Sequence, residues 1–312
     1  MRAAAALAGA GTLAGVTTAL LANRELHHFE LHEYTLPLLK PGTLGTNTLG
    51  KPEEFRILHL SDLHMIPGQE DKEEWVSGLV DLRPDLVINT GDNLSHEKGV
   101  PHVLRALGGL LDVPGLFVFG SNDYYGPRPV NPFLYLLGKK RPVGDNLLPW
   151  EGMKAAFQEH GWLDATHARR DIRVGRVKIA AAGVDDPHHD LDDYSTIAGP
   201  PNERADLAIA LVHAPEPRVL DRFEADGYQL CFCGHTHGGQ LCLPGGRAIV
   251  TNCGIDRERA RGLHRWKSML LHVTNGLGTS RYVPFRVFCR PSATLLRITD
   301  DPAYEEKHPN RH

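Results

Sequence analysis

Phe55-Arg-Ile-Leu-His-Leu-Ser-Asp-Leu-His64 is an apolar run that ends in two side chains able to bind a metal. The arrangement recurs. Leu86 to Asn89 is followed by Gly91-Asp92, Leu116 to Phe119 by Gly120-Ser-Asn-Asp123, Leu207 to Val212 by His213, and Leu230 to Cys233 by Gly234-His-Thr-His237. Short continuous apolar runs bounded by turn residues read as strands buried on both faces. Open α/β sheets present their ligand-binding loops at the carboxyl ends of strands. Five segments far apart in the chain are therefore expected to converge on one edge. A lone His-x-His pair means little in a chain with 18 histidines; the ordered set carries the argument.

Further strands are expected at Val177 to Ala182, Ala248 to Asn252, Met269 to Val273 and Thr294 to Thr299, with an edge strand at Phe29 to Leu36. Helical spacing appears between several of them: Glu70 to Leu82, with Trp75, Leu79 and Leu82 on one face, then Val103 to Leu111, Trp150 to His160 and Glu216 to Asp226. Strands alternating with helices argue for an α/β layered fold. The late strands lack intervening helices, which points to a mixed or second sheet. No internal repeat is visible.

A chain of 312 residues can bury one large core or two modest ones. Its net charge of −4 gives no reason to expect nucleic acid as a partner. A slightly acidic protein that handles anionic phosphates needs local positive charge, which metal ions supply. The odd count of five cysteines, in a chain too large to need disulfide staples, reads as small buried core residues. Ala3 to Ala22 is a stretch of 20 uncharged residues, just long enough to span a bilayer. Residues 1–22 are therefore expected to be a membrane anchor or export signal, although few leucines make insertion marginal. Residues 23–50 read as a tether containing the edge strand, 51–300 as the catalytic domain and 301–312 as a polar tail. Flanking charges leave open whether that domain faces outward or the cytoplasm.

Two divalent cations roughly 3.5–4 Å apart can bind both an attacking hydroxide and phosphoryl oxygens, with a shared carboxylate fixing the spacing. Asp92 is the candidate for that bridge. Asp62 and His64 alternate along what reads as extended chain, so both could reach one ion, and the same geometry lets His235 and His237 reach neighbouring ions. Mixed carboxylate, imidazole and amide donors suit manganese, iron or zinc better than calcium, and nothing selects among the three.

With Gly234-His-Thr-His-Gly-Gly-Gln240, Gly276-Leu-Gly-Thr279 and Arg290-Pro291 beside these blocks, the chain resembles the calcineurin-like metallophosphoesterases over about residues 55–300, and in particular their exported, membrane-anchored bacterial branch. The resemblance implies a four-layer sandwich of two mixed β-sheets flanked by helices. It implies a phosphomonoesterase or phosphodiesterase in which a metal-held hydroxide attacks phosphorus. It also implies that Asp62, His64, Asp92 and His237 hold a first metal, and that Asp92, an amide, His213 and His235 hold a second.

One block departs from the family pattern. Where the family commonly reads Gly-Asn-His-Asp, this chain reads Gly120-Ser-Asn-Asp123. In strict register Ser121 takes the amide position; a one-residue slip returns it to Asn122, a better ligand than a neutral hydroxyl. Either way the family's catalytic histidine is missing, and acid–base catalysis of that kind is worth roughly 10²- to 10⁴-fold. Asn122 and Asp123 are the catalytic candidates in its place, with Tyr124, His96 or water as other substitutes. Slow turnover, or a substrate with a good leaving group, is the expectation. The alternative is a non-catalytic metal- or phosphate-binding membrane protein of the same fold; a two-metal amide hydrolase fits the ordered motifs less well.

The substrate is expected to be a phosphate-ester small molecule or a lipid-like one. Residues 124–149 form an insertion expected to overhang the site. Its segment Phe133 to Arg141, apolar and then cationic, suits either contact with lipid headgroups or packing on the domain. Asp185 to Asp190 reads as a carboxylate-capped turn on the pocket rim. Arg257, Arg259, Arg261 and Arg265 read as phosphate clamps or as surface charge, and Gly276 to Thr279 as a turn near the site.

Overall fold

The computed structural model describes residues 24–46, 53–129 and 144–301. Residues 1–22, where an anchor is expected, lie outside these, as do Phe133 to Arg141 and the tail after residue 301. Among the described residues no helix is long and apolar enough to cross a membrane.

In chain order the strands and helices are β1 (Glu30–Leu36), β2 (Phe55–Leu60), α1 (Glu70–Gly78), β3 (Leu86–Asn89), α2 (Val100–Leu107), β4 (Gly115–Phe117) and the single turn α3 (Ser121–Tyr124). Then come α4 (Trp150–Glu159), β5 (Leu163–Asp164), β6 (Ala168–Val174), β7 (Val177–Gly183), β8 (Leu207–Leu211), α5 (Pro217–Asp226) and β9 (Leu230–Cys233), followed by β10 (Gly262–Trp266), β11 (Met269–Val273) and β12 (Ser292–Ile298). The first sheet has the order β1-β12-β2-β3-β4-β5, with only the β12–β2 pairing antiparallel. The second has the order β10-β11-β9-β8-β7-β6, parallel at its centre and antiparallel at both edges. Both sheets are mixed, as the family resemblance implies.

The unbroken apolar runs are explained by what lies on either side of them. Along β2, Ile57 joins a core between the sheets with Ile88, Leu116, Ile209 and Phe232, while Leu58 and Leu60 join Val76, Leu107 and Phe157 on the helical side. The second sheet does the same. Along β8, Ile209 faces the inter-sheet core, while Ala208 and Ala210 pack outward with Val219 and Phe223 of α5. Helix, sheet, sheet and helix thus form four layers. Carboxylates Glu70, Asp71 and Glu73 in the first turn of α1 suit its positive end. Pro217 at the start of α5 and left-handed Gly227 after its end fix that helix in length.

The edge strand expected within residues 23–50 is β1, paired along its whole length with β12. Cys231 and Cys233 pack in the outer core as expected, and all five cysteines are free thiols. The strand expected over Ala248 to Asn252 is absent: Ala248 makes one isolated bridge to Cys242, beside two left-handed glycines, Gly245 and Gly246. Two edge strands, β6 and β10, lack apolar runs to announce them.

The inter-sheet core contains a polar chain. His59 Nδ1 lies 2.8 Å from His272 Nδ1, and His59 Nε2 lies 2.9 Å from the Thr90 hydroxyl. Burial is the main cause that holds His59 well below the ordinary imidazole value and His272 down at about 3. Both stay neutral when folded, whereas the unfolded chain takes up protons below pH 6.5. Stability therefore falls as pH drops from 6.5 towards 3. His59→Phe strands His272 Nδ1 and is expected to cost about 1–3 kcal/mol at neutral pH, read from urea denaturation; an unchanged midpoint would show the pair to be dispensable.

Candidate metal centre

The carboxyl ends of β2, β3, β8 and β9, from both sheets, deliver their following residues to one buried place. Asp62, His64 and His237 offer donor atoms within 4.8 Å of one another, and so do Asp62, Asp92 and His213. Asp62 belongs to both groups, and Asp92 of the second reaches His64 of the first. Asp92 Oδ2 lies 3.2 Å from His213 Nε2, 3.6 Å from His64 Nε2 and 2.7 Å from Asn122 Nδ2. His64 Nε2 is also 3.3 Å from His237 Nε2, which is 3.6 Å from Asp62 Oδ1. The His235 ring packs edge-on against His213, with centroids 5.3 Å apart. All seven ligand positions expected from the sequence are thus gathered together.

The local backbone differs from the extended alternation expected. Asp62, His64, Asp92, His235 and His237 all have positive φ, between 45° and 68°. Non-glycine residues adopt this left-handed region rarely and at a cost. Side chains from consecutive turns are aimed at one point by these kinks, not by the pleat of a strand. Glycines make room for the crowding: a Cβ on Gly120 would overlap Asp92 Oδ1 and stand 2.8 Å from His213 Cε1, and one on Gly276 would lie 2.6 Å from Asp62 Cβ.

A supporting layer turns the imidazoles. His213 Nδ1 donates to the Thr90 carbonyl at 2.7 Å and His237 Nδ1 to the Gly278 carbonyl at 3.0 Å, while His64 Nδ1 meets the Ser95 hydroxyl at 2.8 Å. Such bonds fix the tautomer and aim Nε2 at the centre. Burial depresses His64 to about 4 and holds His235 and His237 well below the ordinary value, so each ring is neutral and keeps one nitrogen lone pair. Nε2 of His235 is buried without a hydrogen-bond partner among the described residues.

The two carboxylates behave differently. Burial raises Asp92, but the His213 charge and hydrogen bond, with His64 and Asn122, outweigh it and hold the group well below the carboxylate range. Burial, opposed by His213 but reinforced by Asp92, pushes Asp62 up to about 6. On His213, burial opposes the proton, yet Asp92, Asp186 and Asp62 prevail and raise its pKa well above the ordinary value. Buried carboxylates crowded against inward-facing imidazole nitrogens, two of which, His213 Nε2 and His235 Nε2, have no hydrogen-bond partner among the described residues, fit a cation in place of that proton.

In the third block the two candidates make different contacts. Asn122 donates its backbone N–H to Asp92 Oδ1 at 2.9 Å and its carboxamide to Oδ2, whereas Ser121 enters through its backbone N–H, which donates to Asp186 at 3.0 Å. Asp123, expected to be catalytic, is placed otherwise. Its fully buried carboxylate accepts the backbone N–H groups of Asp92, Asn93, Leu94 and Gly120 at 2.7–3.3 Å. Burial and the Asp92 charge push it up to about 7, against these amides. It ties two loops together from behind rather than facing a substrate. Tyr124 is likewise committed, its hydroxyl donating to Asp185 at 2.8 Å.

The 185–190 turn does line the rim: Asp186 caps it, accepting the His188 N–H at 2.9 Å, and the His188 ring packs at a tilt against His235 with centroids 4.3 Å apart. Sequence reasoning missed Arg286. Fully buried, it donates to the carbonyls of Asn275, Gly276 and Gly278 at 2.7–3.1 Å, locking the turn that holds His237. The available signal was a charge set inside the apolar stretch Val283-Pro-Phe-Arg-Val-Phe-Cys289.

Two mixed sheets with a histidine- and aspartate-lined centre at their joined edge define a metal-dependent phosphoesterase. The family model for calcineurin-like phosphoesterases matches residues 55–239, more than half of the chain, and the chain belongs to that family. It is 27% identical over 257 residues to YkoQ, an uncharacterized metallophosphoesterase of Bacillus subtilis (strain 168), covering 79% of this chain and 84% of that one. It is 25% identical over 284 residues to the metallophosphoesterase YkuE of the same organism, covering 88% and 87%. The phosphodiesterase YaeI of Escherichia coli (strain K12) is 28% identical over 256 residues, covering 78% and 82%.

Gly120→Ala is expected to displace Asp92 and His213 and to leave the purified protein depleted of metal by elemental analysis; full metal content would show that the close approach is not needed. Because Asp62 is pushed up to about 6, protons compete with cations below that pH. Apparent manganese affinity should then fall roughly tenfold per pH unit. Calorimetric titrations across pH would reveal this slope, and a flat affinity below pH 6 would contradict it.

Proposed function

We propose that the chain is a binuclear-metal phosphodiesterase with Asp92 as the carboxylate shared between its two ions. The observation that carries this reading is that a single atom, Asp92 Oδ2, lies within 3.6 Å of side-chain nitrogens of His64, His213 and Asn122. Asp62, His64, Asp92 and His237 would hold one ion, and Asp92, Asn122, His213 and His235 the other. Two such ions supply Lewis acidity towards phosphoryl oxygens and an activated water. Manganese, iron and zinc all suit this donor set.

The protein's own residues do the positioning. Thr90, Ser95 and Gly278 fix the imidazoles, Arg286 locks the 275–278 turn, and Asp123 pins the 92 and 120 loops. Asn122 can donate a hydrogen bond, but it has no proton to give a departing alkoxide. The similarity to YaeI, a phosphodiesterase, favours a diester over a monoester.

Hydrolysis of bis(p-nitrophenyl) phosphate with manganese tests the reading. Asp92→Asn should lower kcat/KM by more than the roughly 10- to 100-fold that follows loss of a group one step removed from a metal; activity surviving in that variant would place the chemistry elsewhere. Across aryl phosphodiesters, the rate should fall steeply as leaving-group pKa rises, since no side chain protonates the leaving oxygen. A flat dependence would mean that an acid does act there.

A further inference from the structure

A cleft of about 960 Å³ lies away from the metal centre. It opens between the free edges of the two sheets, β1 on one wall and β10 on the other, and none of the seven candidate ligands lines it. Arg247, Arg257 and Arg261 converge on it. Arg261 is laid across the left-handed Gly246, where a Cβ would overlap its guanidinium, and it reaches the Phe288 carbonyl at 3.5 Å. Arg247 and Arg257 make no side-chain hydrogen bond or ion pair among the described residues.

Carboxylates line the cleft too, but three of them are engaged. Glu25 accepts the Cys289 backbone N–H at 3.2 Å, Glu30 pairs with Arg290 at 2.6 Å, and Glu33 accepts from Arg297 at 3.0 Å. Among the described residues only Glu258 is left to face the three arginines. The cleft therefore presents uncompensated guanidinium charge, whose planar donors match phosphate and sulfate oxygens. It also offers apolar surface, from Tyr34 and from Phe288, which is 48% exposed and held at a φ of 53°. A bulky residue kept in that conformation at a rim marks a place where local strain is tolerated for a purpose.

We propose that this cleft is a second binding site, for a compact organic polyanion bearing phosphate or sulfate groups. Its floor is shared with the metal centre's own loops. The Ala260 carbonyl accepts the Thr236 hydroxyl at 2.6 Å, and the Asn275 carbonyl accepts Arg286 at 2.8 Å. An occupant would thus press on the turn between His235 and His237 from the side opposite the metals.

Calorimetry on the metal-loaded full chain with sucrose octasulfate, a poor chelator, tests this. Saturable binding is expected. Arg247→Glu with Arg257→Glu should weaken it by at least roughly tenfold, Glu258→Gln should tighten it, and His213→Gln in the metal centre should leave it intact. Thermal melting confirms that each variant is folded. Phosphatidylglycerol vesicles form a second arm: binding to these alone would identify a lipid headgroup as the source of the anion, and binding to the sugar sulfate alone a soluble ligand. Failure of both arms would overturn the proposal. So would binding lost in His213→Gln yet retained in the charge-reversed pair, which would place the anion at the metals.

Discussion

Two carboxylates, Asp62 and Asp92, are buried beside each other with almost no exposure, and the architecture of the site follows from having to keep them there. An isolated buried charge costs several kcal/mol, and two of one sign repel as well. Each loop that reaches the centre brings something to offset this. Ser61 donates to Asp62 at 2.6 Å and the His235 N–H at 3.0 Å, while Asp92 takes two bonds from Asn122 and the charge of His213. The remaining deficit is positive charge. Protons on Asp62 and His213 supply part of it, and a bound cation would supply more.

Holding such a centre costs backbone strain. Five of the seven gathered residues sit in the left-handed region, at roughly 1–2 kcal/mol each for residues other than glycine. What fixes them lies behind the donor atoms. Asp123 collects four amide N–H groups from two loops, and Arg286 collects three carbonyls from a third. These two charged residues are opposite in sign and act on opposite ends of the peptide dipole. Together they over-determine conformations that the local sequence would not choose.

That division explains what could be read from the sequence. Strands buried on both faces, such as β2, β3, β8 and β9, are written as unbroken apolar runs, because side chains on either face meet a core. The polar residues that end each run are equally visible, so the convergence of Asp62, Asp92, His213 and His237 could be anticipated. Edge strand β6, Ala-Arg-Arg-Asp-Ile-Arg-Val, could not: one face is solvated and its partner supplies the pairing from outside the segment. The left-handed turns were also hidden, since aspartate and histidine carry no local signature for them and the force that imposes them comes from loops 30 or more residues away, as with Asp123 and Asp92. Asp123 itself looked catalytic because sequence gives proximity along the chain, not the direction of a carboxylate.

The carboxamide at Asn122 has a consequence for how the centre responds to protons. An imidazole there could share a proton with Asp92, which already has His213 Nε2 at 3.2 Å, and the occupancy of that proton would vary with pH. A carboxamide is neutral at every pH and still bonds to the same oxygen at 2.7 Å. Titration of the centre is then left to Asp62 and His213, with the buried Asp123 behind them. In this chain the acid limb of activity should therefore report metal binding, and no separate limb should arise from a protonated group waiting beside the leaving oxygen.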